Sequence, residues 1–291
     1  MSTMHDSEIT SPQVAAVSAL PPAVATAQSA ARIAALLAAS SNQHVKQVGI
    51  EVVAETGSTN ADLLARIGSL SAPVMLVAQS QTAGRGRAGR AWHTTSTASL
   101  TFSLAWKFAR PLHALIGLPL AIGVAMAEAL AVFGIKVELK WPNDILRDGA
   151  KLAGILIETV PGKSNAPDGV WTVIGIGINL AMPAALQSRI GRAVADVAEL
   201  LEQDRERLLA LLLSALADAL AEFDVHGFGA FVARWNHLHA YAGRAVRILD
   251  NDRVVHEGIA VGVNDSGCLL IDTAQGRIAV LAGDVSLRLQ E

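Results

Sequence analysis

Cysteine is almost absent from this chain. Cys268 is the one cysteine in 291 residues, so no internal disulfide can form. With no motif around it, that thiol reads as buried and reduced, which fits a cytoplasmic protein. Neither sign of charge dominates: 23 Lys and Arg stand against 26 Asp and Glu, a net −3. So weak a field steers nothing toward DNA or anionic membrane. The best apolar run, residues 114–127, contains Pro119, is closed by His113 and Glu128, and falls short of the roughly 20 residues of a spanning helix. It reads as a buried helix, and no membrane association is expected. The N-terminus lacks the order of a secretory signal, because its early charges, Asp6 and Glu8, are acidic and Pro21 and Pro22 interrupt its apolar residues. The histidines lack metal spacing; His237-x-His239 is the nearest pair, with no HExxH, and no protein-built metal site is expected. There is no Gly-x-Ser-x-Gly elbow for a serine hydrolase either.

What is present is 52% hydrophobic residues, much of it alanine, in a length that allows one or two domains with a sizeable core. Residues 1–45 are rich in Ala, Ser and Pro and read as a mobile lead carrying one helix, at about 25–39. From residue 46 to 241 strand and helix patterns mix. Strands are expected at 49–55, 73–79, 99–106, 136–140, 145–147, 151–159 and 170–179. Asp148-Gly149 supplies the left-handed turn of a tight hairpin. Helices are expected at 58–67, capped by Ser58 or Thr59, at 111–133 with proline near the start, at 204–223 and at 229–239. From 242 to 291 five short strands punctuated by tight turns suggest a small barrel.

Five stretches carry candidate chemistry. The loop 84–90 reads GRGRAGR: its glycines let backbone N–H groups approach an anion, and its arginines offer permanently charged forks to phosphate. It lacks the Gly-Lys-Ser/Thr ending of a Walker loop. A flexible basic loop, or an RGG-like nucleic-acid contact, is the competing reading. Lys140-Trp141-Pro142-Asn143-Asp144 sets a lysine, an amide and a carboxylate around a stiff turn, although Pro, Asn and Asp favour turns in any case. Lys151 opens an apolar strand in which Gly154 marks close approach by a ligand or another backbone; a solvated strand-end lysine is the plain alternative. Gly175 and Gly177 lie two apart, so one strand face is stripped of side chains and leaves room for something flat or chain-like. Gly57-Ser58-Thr59-Asn60 is at least a helix cap, which is compatible with a ligand contact.

Taken in order, GSTN at 57–60, QTAGRGRAGRAW at 81–92, KWPND at 140–144, KLAGILIE at 151–158 and GIGIN at 175–179 resemble the biotin–protein ligases, and most closely the bacterial biotin–[acetyl-CoA-carboxylase] ligases. EGIAVGVNDSGCLLI and AGDVSLR resemble that family's C-terminal barrel, so the likeness runs over about residues 50–289. The resemblance implies an α+β fold: a mixed β-sheet with flanking helices, like the biotin/lipoate ligases and class II aminoacyl-tRNA synthetases, followed by an SH3-like barrel. It implies ATP-dependent formation of biotinyl-5′-AMP and transfer of biotin to a lysine of the biotin carboxyl carrier protein. Ser58, Thr59 and Gln81 would bind the biotin ring beside Asn60, with Gly154 and Gly177 giving it room. Gly84, Arg85 and Arg87 would belong to a lid over biotin and phosphates, poorly ordered when empty and closed over the adenylate. Trp92 would pack against adenine and Asn179 would contact the nucleotide. Lys151 would neutralise charge as the carboxylate attacks the α-phosphate, Asp144 would act as general base toward the acceptor lysine, and Lys140 would support either step. Mg2+ would travel with ATP, held largely by phosphate oxygens.

Two departures stand out. Ala88 follows Arg87 where some relatives have a second arginine, which would loosen the loop slightly. The repressor-type members carry a winged helix-turn-helix ahead of the catalytic domain, whereas the residues here before about 45 are proline-broken and almost free of basic side chains. A ligase without operator binding is therefore expected, and a homodimer is compatible with the sequence. The rivals are a lipoate ligase or octanoyltransferase, a DNA-binding repressor that uses biotin only as a signal, and an RNA-binding basic loop.

Overall fold

The strand with alternating isoleucine and glycine lies at the centre of the main sheet. The computed structural model describes residues 21–93, 98–160, 169–183, 187–188, 194–283 and 285–290; the first 20 residues of the expected lead lie outside it. The main sheet comprises β1 (Gly49–Thr56), β2 (Val74–Gln81), β3 (Ser99–Phe108), β4 (Glu138–Lys140), β5 (Asp144–Arg147), β6 (Ala150–Thr159) and β7 (Val170–Asn179). Its order is β1-β2-β3-β7-β6-β5-β4, and only β1 and β2 run parallel. In β7, Ile174, Ile176 and Ile178 are buried in the core, whereas Gly175 and Gly177 face the other side. That two-residue period fixes which face carries the core and which is open to a ligand.

Three helices cover the isoleucine face: α1 (Pro22–Ala39), α3 (Leu118–Ala131) and α4 (Arg205–His226), while α2 (Thr59–Arg66) lies on the other. In α4, Asp204 caps the first turn by accepting from the N–H groups of Glu206 and Arg207, as a carboxylate at a helix N-terminus should. The N-terminal helix is no loose lead. Ile33 and Leu37 are buried, Ser29 Oγ donates to Glu206 at 2.8 Å, and Arg32 pairs with Asp204.

The helix expected over 111–133 is broken. A 3-10 turn, Leu112–Leu115, is followed by Gly117 at φ 88°, and α3 starts only at Leu118. A Cβ at Gly117 would lie 2.7 Å from Cγ of Phe228, so packing and backbone conformation both call for glycine there. By length and apolarity Leu112–Ala131 would suffice to cross a membrane, more than its sequence suggested, but 72% of its 18-residue apolar window is buried inside the protein. The segment at 229–239 is likewise divided, into a 3-10 turn, Phe228–Phe231, and α5 (Val232–His237).

The C-terminal unit is an SH3-like barrel of β8 (Ala245–Asp250), β9 (Arg253–Val263), β10 (Leu269–Thr273), β11 (Gly276–Val280) and β12 (Val285–Leu289), in the order β11-β10-β9-β8-β12. Its turn at Asn251-Asp252 has positive φ at both residues, as does Asp148-Gly149 in the main sheet, where the left-handed turn was expected. The barrel packs tightly on the main domain. Trp141 is fully buried and its indole N–H donates to Gly267 O at 3.2 Å, and Asn236 Oδ1 accepts from Val263 N at 2.8 Å.

Candidate active site

One rung of the main sheet forms the floor of a slot. Ala78, Thr101, Gly177, Gly154, Asp144 and Lys140 are successive cross-strand partners from β2 to β4. The two glycines at the middle of the rung leave a hollow, with polar groups toward one end and charged groups at the other. The indole of Trp92 lies in this hollow: a Cβ at Gly177 would fall 2.3 Å from its Cε2, and one at Gly154 would fall 3.5 Å from its Cζ3. Nε1 of Trp92 is buried and has no hydrogen-bond partner among the described residues.

Toward the α2 end the slot is lined by side chains that hydrogen-bond one another. Thr59 Oγ1 and Ser103 Oγ are 2.6 Å apart, Ser103 Oγ donates to Asn60 Oδ1 at 2.5 Å, and Asn60 Nδ2 donates to Glu158 at 2.9 Å. Gln81 Oε1 accepts from Thr59 N at 2.8 Å. Gly175 is needed here because a Cβ would lie 2.3 Å from Asn60 Oδ1. Ser58 caps α2 by accepting from Ala61 N, and Ser58, Thr59 and Asn60 are all buried. Buried polar atoms at a pocket wall are costly unless paired, and here they pair with one another beside the slot.

At the other end three charges meet. Lys151 folds back over Gly154, where a Cβ would be 3.1 Å from its Nζ, and its ammonium donates to Asp144 Oδ1. Lys140 Nζ lies 3.7 Å from Asp144 Oδ2, and all three side chains are less than a fifth exposed. Lys140 also sits 5.9 Å from the Tyr241 ring, whose phenol is held above its ordinary pKa mainly by burial and so stays neutral. Two ammonium groups on one carboxylate leave a net positive end, suited to an anionic ligand.

The arginine loop closes over the slot as a small hairpin. Trp92 N donates to Gly84 O at 2.8 Å and Gly86 N to Arg90 O at 2.7 Å, around a turn with Ala88 and Gly89 in the left-handed region. Ala88 has a Cβ in that region, a strain of about 1 kcal/mol that glycine would not carry. Arg85 reaches Glu158 at 2.9 Å, and Arg87 donates to Asn143 Oδ1 at 3.1 Å and to the Gly283 carbonyl of the barrel.

The residues singled out from sequence therefore converge, with two exceptions. Gly84 stands at the hinge of the loop rather than on the slot wall; a Cβ there would be 2.5 Å from Trp92 O. Asn179 lies behind the slot. Its amide donates to the carbonyls of Ala195 at 3.1 Å and Lys151 at 3.3 Å, so it holds the strand bearing Lys151 rather than facing the slot. Arg147 supports the same segment and, chiefly by hydrogen bonding, holds the Glu199 carboxyl down at about 2. The room over Gly177 is filled by Trp92 itself. Sequence reasoning missed Thr101, Ser103 and the barrel residues Ser286 and Arg288, which also line the slot, and Glu158, which holds Asn60 and Arg85 behind it. Thr101 and Ser103 were detectable, as polar residues two apart in an apolar strand; the barrel's share was not, because nothing local shows which strand docks. Among the described residues no three His, Cys, Asp or Glu side chains group as metal ligands.

Residues 50–179 match the Biotin/lipoate A/B protein ligase family and residues 241–288 match the Biotin protein ligase C terminal domain. Over 244 residues the chain is 37% identical to the bifunctional ligase/repressor BirA of Escherichia coli, covering 83% of this chain and 75% of that one. The chain belongs to the biotin protein ligase family. It is also 32% identical, over 251 residues, to the biotin–[acetyl-CoA-carboxylase] ligase of Paracoccus denitrificans, covering 80% of this chain and 98% of the relative. Among solved structures, the Aquifex aeolicus biotin protein ligase in complex with biotin and ATP superposes with a TM-score of 0.69 at 29% identity, covering 83% of this chain and 99% of that one.

Proposed function

We propose that this ligase activates biotin with ATP and transfers it to a lysine of the biotin carboxyl carrier protein of acetyl-CoA carboxylase, in the cytoplasm and without an operator-binding role. The observation that carries this reading is the single rung on which a glycine-floored hollow joins a hydrogen-bonding wall to the Lys140–Asp144–Lys151 cluster. The bicyclic ring fits the polar end, and the valerate chain leads its carboxylate toward the ammonium groups. A carboxylate oxygen attacks the α-phosphorus of ATP, the bond to the bridging oxygen breaks, and diphosphate leaves. Lys151 offsets the charge that develops on the phosphoryl oxygens, with Arg87 and the rest of the loop closing over them. Mg2+ would be carried on the ATP phosphates, since the slot offers a cationic surround and, among the described residues, no cluster of carboxylates.

Trp92 then has two places: against the glycines, as observed, or against the adenine, once a ligand takes the hollow. In the second step the neutral acceptor amine attacks the acyl carbon, the amide forms and AMP leaves. The amine's proton must be taken up, and Asp144 takes that role when an incoming amine displaces Lys151 from it. The closed loop keeps water from the mixed anhydride.

The test is transfer itself. Purified enzyme, ATP and biotin should modify the carrier domain's acceptor lysine, and ATP–diphosphate exchange should respond to biotin. Exchange stimulated by lipoate and not by biotin would overturn the proposal in favour of a lipoate ligase.

A further inference from the structure

Four hydrogen bonds run in series from the lid to the ring end of the slot, and a carboxylate fixes the direction of every one. Glu158 can only accept, so the atom of Asn60 that faces it at 2.9 Å is the amide nitrogen, and Asn60 Oδ1 is turned to Ser103. A carbonyl oxygen also only accepts, so the Ser103 hydroxyl spends its single proton on Asn60. Its oxygen, 2.6 Å from Thr59 Oγ1, must then receive the threonine's proton. The alternative contact from Thr59 Oγ1 to Gln81 Oε1, at 3.2 Å, is longer, and Gln81 Oε1 is already served by Thr59 N at 2.8 Å. At the lid, Arg85 binds the same carboxylate at 2.9 Å.

We propose that Glu158 is a specificity-determining positioning residue: by orienting Asn60 and Ser103 it leaves Thr59 facing the slot as a hydrogen-bond acceptor, so the site takes a ring with an N–H at that point and rejects one with an oxygen. This rests on the ligase reading, in which the ring edge is a ureide. A bare acceptor opposite Thr59 would set two lone pairs against each other in a dry wall, the kind of mismatch that sites built for a hydrogen bond reject strongly. Replacing Glu158 by glutamine frees the series. The new amide can donate to a turned Asn60, and Ser103 and Thr59 can then reverse.

The experiment compares biotin with its two carbamate analogues, each with one ureido N–H replaced by oxygen, in ATP–diphosphate exchange. Wild type should reject one analogue by at least about 100-fold in kcat/KM, and E158Q should narrow that ratio to within about tenfold. R85A, which removes the lid contact but leaves Asn60 on Glu158, should keep the wild-type ratio. Thermal melting of each variant shows that the fold is retained. An unchanged ratio in E158Q overturns the inference, as does an equal loss in R85A, which would make Glu158 only a lid anchor. Wild type with no biotin-dependent exchange would instead overturn the ligase reading beneath it.

Discussion

The indole of Trp92 occupies the space that a side chain at Gly177 would need, with Cε2 of the ring 2.3 Å from where a Cβ would stand. The ring is rigid, so Gly177→Ala must push it out. Overpacking of this kind costs about 1–3 kcal/mol, and adenylate formation should fall roughly 10- to 100-fold. Exchange kinetics beside a thermal melt check this: the melt should fall by roughly 2–10 °C, as that cost implies for a domain of this size.

Arg87 ties the lid to both units, through Asn143 and the Gly283 carbonyl. Arg87→Ala should let the hairpin open more often. Trypsin should then cut after Arg85 or Arg90 faster than in wild type, and preformed biotinyl-AMP should escape and hydrolyse sooner, a difference read by quench-flow of the bound adenylate.

Much of this was legible beforehand. Positions 175 and 177 show a stripped strand face on spacing alone, and the Asp148-Gly149 turn brings Lys151 back beside Asp144. What sequence concealed has physical reasons. Helical periodicity over 111–133 hid the break at Gly117, where a left-handed backbone meets the sequence-distant ring of Phe228. Asn179 closes a motif that sits in the slot, yet its amide turns to Lys151 and Ala195, a choice made by tertiary partners. Trp92 filling the glycine hollow is likewise a long-range contact that no local pattern encodes.

His239 is buried against Trp235, with ring centroids 4.7 Å apart and neither nitrogen partnered among the described residues. Burial pushes its pKa from 6.5 down to about 4. Between those values the unfolded chain holds the extra proton and the folded one does not, so the histidine's contribution is intact above 6.5 and is lost as pH falls. Urea midpoints should report about 2 kcal/mol less stability at pH 5 than at pH 7.5 from this residue, and His239→Phe should flatten that slope.

Ile33 of α1 is fully buried against the core. Ile33→Ala should lower stability by roughly 2–5 kcal/mol in a denaturant titration, which a dispensable lead would not do.

Lys151, held over Gly154 by Asp144, is the group proposed to act at the α-phosphate. The most direct measurement is biotin-dependent exchange of labelled diphosphate into ATP, for wild type and Lys151→Ala. Exchange should require biotin and fall at least about 100-fold in the variant, with the fold intact by melting. Exchange that proceeds at the wild-type rate in Lys151→Ala, or that responds to lipoate alone, would contradict that proposal.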